Sequence, residues 1–167
     1  MLYEKVFKEL EKQKVRYLVI GGIAVNLHGF TRATADLDLF VALDEENLKE
    51  FIKAVKALGL RPRVPVSLDD LADVAKRNDW IENKHMKVFT LNNPKDNREQ
   101  IDIMVVTDID FEKAYKNKTT VFIGDVKITI AGIKELIELK EIAGRAKDKM
   151  DIEELKEIEK IKKEKKG

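Results

Sequence analysis

Residues 36–41 read Asp-Leu-Asp-Leu-Phe-Val. In a strand this alternation sends Leu37, Leu39 and Val41 to one face and projects Asp36 and Asp38 together from the other. A later run, Ile101-Asp102-Ile103-Met104-Val105-Val106, would pass for a fully buried strand but for one carboxylate, Asp102. If the two strands are neighbours, three carboxylates converge beside an apolar sheet. Their mutual repulsion then raises their pKa values or destabilises the site unless a counter-charge joins them. A hard divalent cation is the natural one, and oxygen-only ligands suit Mg²⁺ or Mn²⁺ better than zinc. The plainer alternative places Asp36 and Asp38 on an exposed face and Asp102 on a sheet edge.

Softer metals and thiol chemistry are excluded by composition. The chain has no cysteine and only His28 and His85, so it holds no disulfide framework, thiolate nucleophile or histidine-rich metal site. Its 167 residues suit one domain. Lys and Arg number 32 against 31 Asp and Glu, a net charge of +1, which gives no bulk electrostatic argument for a nucleic-acid or membrane partner. The opening Met1-Leu2-Tyr3-Glu4-Lys5 is charged and lacks an apolar signal core, so a cytoplasmic location and no membrane partner are expected.

Leu2, Tyr3, Val6, Phe7 and Leu10 predict an amphipathic helix ending near Lys14, followed by a strand from Val15 to Ile20. Gly21-Gly22 stops that strand, either as a plain turn or as a close-approach backbone at a helix start, where N–H groups can meet a polyphosphate. One or two helical turns are expected over Ile23–Leu27, and a strand over Asp36–Ala42. Asp44 caps a helix that ends at Gly59. Arg61–Val66 reads as a loop or edge segment, and Ser67 with Asp70 opens a helix through about Arg77. Met86–Leu91 and Gln100–Val106 form a hairpin across the turn-forming cluster Asn92–Asn97. A short helix over Asp110–Tyr115 precedes a second hairpin, Thr119–Ile123 and Val126–Ile130, joined at Gly124-Asp125.

A helix follows from Ile133 to about Ala146. The last one is capped by Asp151 with Glu154, buries Ile152, Leu155, Ile158 and Ile161, and frays over Lys160–Gly167. The order predicts an α+β fold, a small mixed sheet flanked by helices with helices at the C-terminus. Residues 1–131 form the core and 132–167 a helical segment packed on it, one domain overall.

Gly21-Gly22, the stretch Ile23-Ala24-Val25-Asn26-Leu27-His28-Gly29-Phe30-Thr31-Arg32-Ala33-Thr34-Ala35, then Asp36-Leu37-Asp38, with Ile101-Asp102-Ile103 downstream, resembles the DNA polymerase beta-like nucleotidyltransferase superfamily. The whole string, with Leu136–Lys140, Gly144–Asp148 and Asp151, is similar to the branch that includes nucleotidyltransferase toxins of abortive-infection (type IV toxin-antitoxin) systems. The resemblance implies Mg²⁺-dependent transfer of a nucleoside monophosphate from an NTP to an acceptor hydroxyl. In it Asp36 and Asp38 correspond to ligands of two metal ions and Asp102 to the carboxylate beside the attacking hydroxyl, the three forming the metal-binding triad. Gly21 and Gly22 would cradle the triphosphate. Many superfamily members carry Ser where Gly22 stands, so a side-chain hydroxyl is missing at that point. An RNA or tRNA end is an implied acceptor, with a protein hydroxyl or a small molecule behind it, and a cognate toxin or antitoxin an implied partner. A catalytically inactive binding or regulatory module is the alternative.

Arg32 and Lys140 are candidates to contact the triphosphate, since a cation beside developing charge stabilises the transition state; both also suit a plain surface role. Arg145, Lys147 and Asp148 read as a charged helix end, and Asp151 as an N-cap. His28 reads as a hydrogen-bonded core residue, His85 has no visible partner, Trp80 is a core aromatic, and Thr34 an ordinary residue before a strand.

Overall fold

The computed structural model describes residues 1–166. In chain order it contains α1 (Glu4–Lys12), β1 (Tyr17–Ile20), α2 (Gly21–His28), β2 (Leu37–Val41), α3 (Glu45–Ala57), β3 (Arg61–Pro62), a 3₁₀ turn (Leu68–Ala72), α4 (Val74–Lys84), β4 (Val88–Asn93), β5 (Asp96–Met104), α5 (Phe111–Lys116), β6 (Thr119–Ile123), β7 (Val126–Ile130), α6 (Ile133–Ala143) and α7 (Ala146–Lys166). All seven strands join one mixed sheet in the order β3-β4-β5-β2-β1-β7-β6. Within it β2 runs parallel to β5 and β7 parallel to β1, and the remaining neighbours are antiparallel. This is the expected α+β architecture.

The most apolar runs take the centre of the sheet, where both faces are covered. All four residues of β1 are buried, as are Leu37, Leu39 and Val41 of β2. Phe7 of α1 stacks on Tyr17 of β1, with α3 packed beside α1. The antiparallel register sets Val19 opposite Leu39 and Ile20 opposite Asp38. Asp38 thus ends the face carrying Leu18, Ile20 and Phe40, an acidic position on an otherwise apolar stretch. α2 packs against β1, β2, α6 and α7. No helix among the described residues is long and apolar enough to cross a membrane.

Several expectations change. Asp73, not Ser67, caps the middle helix by accepting from the Lys76 amide at 3.1 Å. The predicted helix therefore breaks into a 3₁₀ turn and α4, which runs on to Lys84. The hairpin between β4 and β5 turns over Pro94-Lys95 alone, because the flanking asparagines and Asp96 pair in the ladder with a bulge at Asn92/Asn93. The first helix of the C-terminal pair stops at Gly144, which adopts φ +62. The last helix starts at Ala146 rather than Asp151 and holds to Lys166; Gly167 lies outside the described residues. Along it Leu155 is fully buried, Ile152 and Ile158 are partly covered, and Ile161 is exposed.

Candidate active site

β1 leads directly into α2 through Gly21, whose φ of +69 falls in the left-handed region. A side chain at Gly21 would also collide with the Asp38 carboxylate. A Cβ at Gly22 would stand 2.6 Å from Thr34 Oγ1 and 3.0 Å from Arg32 Nη2. Both glycines are therefore required by what crowds them, and they bring the first turn of α2 against Asp38, Thr34 and Arg32.

Asp38 lies opposite Asp102 in the parallel β2–β5 register, which puts the two side chains on one face. Burial, then repulsion from Asp102 and Asp36, pushes the Asp38 carboxyl up to about 6, against the pull of Arg145 and Lys140. Thr90 faces Asp102 from β4 and donates its hydroxyl to Oδ1 at 2.8 Å. The Gln100 amide stands 3.4 Å from both Asp102 oxygens. Asp36 precedes β2 and is exposed. The Tyr3 hydroxyl donates to the Ala35 carbonyl at 2.7 Å and lies 3.0 Å from the Gln100 carbonyl, bracing together the segments that carry Asp36 and Asp102.

Among the described residues no three acidic or histidine side chains are drawn onto a common chelating point. The donor chemistry nonetheless fits a hard cation. Only carboxylate oxygens are offered, a glycine leaves room over Asp38, and the repulsion that raises Asp38 is what a divalent ion would cancel.

The expected cations, Arg32 and Lys140, meet on one carboxylate. Arg32 grips Asp151 with two hydrogen bonds of 2.8 Å, and Lys140 Nζ donates to the same side chain at 2.7 Å. Asp151 is only 1% exposed and sits within α7, so it is a buried ion-pair centre and not an N-cap. Asp148 has the capping role. From the third position of the helix it accepts the Arg145 backbone N–H at 3.2 Å, and it also pairs with the Arg145 guanidinium at 2.8 Å. Desolvation raises the Asp148 and Asp151 carboxyls, but their hydrogen bonds to Arg145, and to Arg32 and Lys140, overcome it and leave both below the usual range. Asp148 is thus buried rather than part of a solvated helix end, whereas Arg145 and Lys147 are exposed there as expected.

His28 is packed, with Nε2 2.8 Å from the Ala131 carbonyl oxygen. Trp80 stacks on Phe89 in the core, and His85 is exposed at the end of α4. Thr90, Tyr3 and the ionic role of Asp151 escape sequence reasoning. Thr90 alone left a signal, as a polar break between Phe89 and Leu91.

No protein-family model and no curated protein matches the sequence. Solved structures do. The lincosamide antibiotic adenylyltransferase LnuA, in its lincomycin-bound form, superposes with a TM-score of 0.59 at 18% identity, covering 92% of this chain and 93% of that one. ANT(2″)-Ia in complex with adenylyl-2″-tobramycin gives 0.58 at 14% identity, over 95% and 91%. A Thermotoga maritima protein assigned as a nucleotidyltransferase gives 0.58 at 17% identity, over 91% and 88%. The seven-stranded mixed sheet with its flanking helices is therefore the nucleotidyltransferase fold.

Proposed function

We propose that this chain is a divalent-metal-dependent nucleotidyltransferase that moves a nucleoside monophosphate from an NTP to an acceptor hydroxyl and releases pyrophosphate. The observation that carries this reading is the in-register pair Asp38–Asp102 facing the glycine-led start of α2. Asp36 and Asp38 would hold Mg²⁺ or Mn²⁺, which when bound supplies charge stabilisation to the entering and leaving oxygens of an in-line displacement. Gly21 and Gly22 leave the backbone N–H groups of α2 open to the phosphates. Arg32 and Lys140 add positive charge where negative charge develops. Asp102, its orientation fixed by Thr90, takes the proton of the acceptor hydroxyl as that oxygen attacks the α-phosphorus. The bond from the α-phosphorus to the bridging oxygen breaks, and pyrophosphate leaves.

The acceptor supported best is a small hydroxylated molecule. A net charge of +1 supplies no field for a long polyanion. The adenylyltransferases that share the fold, one lincomycin-bound and the other with adenylyl-2″-tobramycin, are of similar length, so a small acceptor needs no further domain. An RNA or tRNA end is the competing acceptor. A second reading, a catalytically inert regulatory module of a toxin–antitoxin pair, draws support from Arg32 and Lys140 being already engaged by Asp151.

Each labelled NTP, with Mg²⁺ or Mn²⁺, should be offered in parallel with total RNA and with a panel of aminoglycosides and lincosamides. Label on a small acceptor with stoichiometric pyrophosphate is the expected result, and label on RNA replaces the acceptor class. NTP binding without release of pyrophosphate under every condition supports the inert module instead.

A further inference from the structure

Asp151 lies in the second turn of α7, far along the chain from the carboxylates, yet it holds both Arg32, which borders the glycine turn, and the buried Lys140. Its two oxygens take the Arg32 guanidinium side-on, a planar fork that fixes the angle of the group as well as its place. Lys140, only 5% exposed, is gripped by Asp151 and stands 3.6 Å from Asp148. A buried network of this kind recovers its desolvation cost poorly and is weak evidence of a stabilising role. Its geometry suits a different purpose. Arg32 Nη2 comes within 3.0 Å of where a Cβ of Gly22 would lie, while its side chain remains 31% exposed on the open side.

We propose that Asp151 is a positioning residue of the nucleotide site: held in place by the buried Lys140 ammonium, it presents the Arg32 guanidinium, pre-oriented, to the triphosphate of a bound NTP. The proposal rests on the nucleotidyl-transfer reading and extends the site to α7. Holding a long, flexible side chain in place before the ligand arrives removes entropy that binding would otherwise cost. Asp151 itself does not touch the nucleotide.

The test uses the full chain with Mg²⁺ and the α,β-methylene analogues of the four NTPs, by calorimetry, together with steady-state transfer. Asp151→Asn should weaken analogue binding at least tenfold, and raise the KM for NTP more than it lowers kcat, while keeping a cooperative melt. Asp151→Glu, which keeps the charge, should recover part of that loss. The loss in the Asp151→Asn, Arg32→Gln double variant should be less than the product of the two single losses, because one residue acts through the other. A folded Asp151→Asn protein that binds as the parent does overturns the proposal, as does one that binds more tightly, since Asp151 would then be competing with phosphate. Independent losses in the double variant overturn it too. If Asp151→Asn does not fold, Arg32→Gln decides alone: unchanged analogue binding by that variant overturns the proposal. A parent chain that binds none of the analogues removes the nucleotidyl-transfer reading and this inference together, whereas a binding parent with an unaffected variant removes only the inference.

Discussion

Burial and the carboxylates of Asp102 and Asp36 hold the Asp38 carboxyl up at about 6, whereas an unfolded chain titrates it near the ordinary aspartate value of about 3.9. The folded state therefore binds this proton more tightly. Stability from Asp38 is full below about pH 4, is lost as pH rises towards about 6, and above that the apo chain carries the whole penalty, at most about 3 kcal/mol. Asp38→Asn is accordingly expected to stabilise the metal-free protein at pH 7.5 in urea unfolding while abolishing transfer, and Mg²⁺ should raise the melting temperature of the parent but not of the variant. An unchanged or lowered stability would mean that Asp38 is not strained by its neighbours. Gly22 offers a second test. Ser at this position would press on Thr34, whose Oγ1 and Cβ would lie 2.6 and 2.9 Å from its Cβ, so Gly22→Ser should weaken NTP binding several-fold, and adding Thr34→Gly should restore it. Equal binding by single and double variants would show that the crowding is relieved elsewhere.

At the scale of elements, α3 begins at a local cap. Asp44 accepts the Asn47 amide at 2.9 Å, and its replacement by Ala should cost about 1 kcal/mol in urea unfolding. This cap was legible in the sequence, as were the Gly124-Asp125 hairpin and every central strand, because alternation and turn residues encode them within a few positions. α4 and α7 were not. Ser67 and Asp70 have the spacing of a helix start, but Asp73 sits closer to the residues that continue as helix. Asp151 with Glu154 likewise has the spacing of a capping box, and what overrides it is Arg32, more than a hundred residues away. The candidate site divides in the same way. Its acids and glycines announce themselves as breaks in apolar patterning, whereas Thr90 and Asp151 acquire roles only through strand register and helix packing.

The molecule as a whole is closed by α7, whose Leu155 is fully buried against the core. Leu155→Ala should cost about 2–5 kcal/mol, read from urea unfolding with the slope unchanged; a loss under 1 kcal/mol would mean that the helix is only loosely attached. The sheet imposes a further condition. β2 pairs antiparallel with β1 across the connection that contains α2 but meets β5 in parallel, with Asp38 beside Asp102. The groups around Gly22 thus come from the beginning, middle and end of the polypeptide. Without α7 the sheet would still set Asp38 beside Asp102, but Arg32 and Lys140 would lose the carboxylate that anchors them.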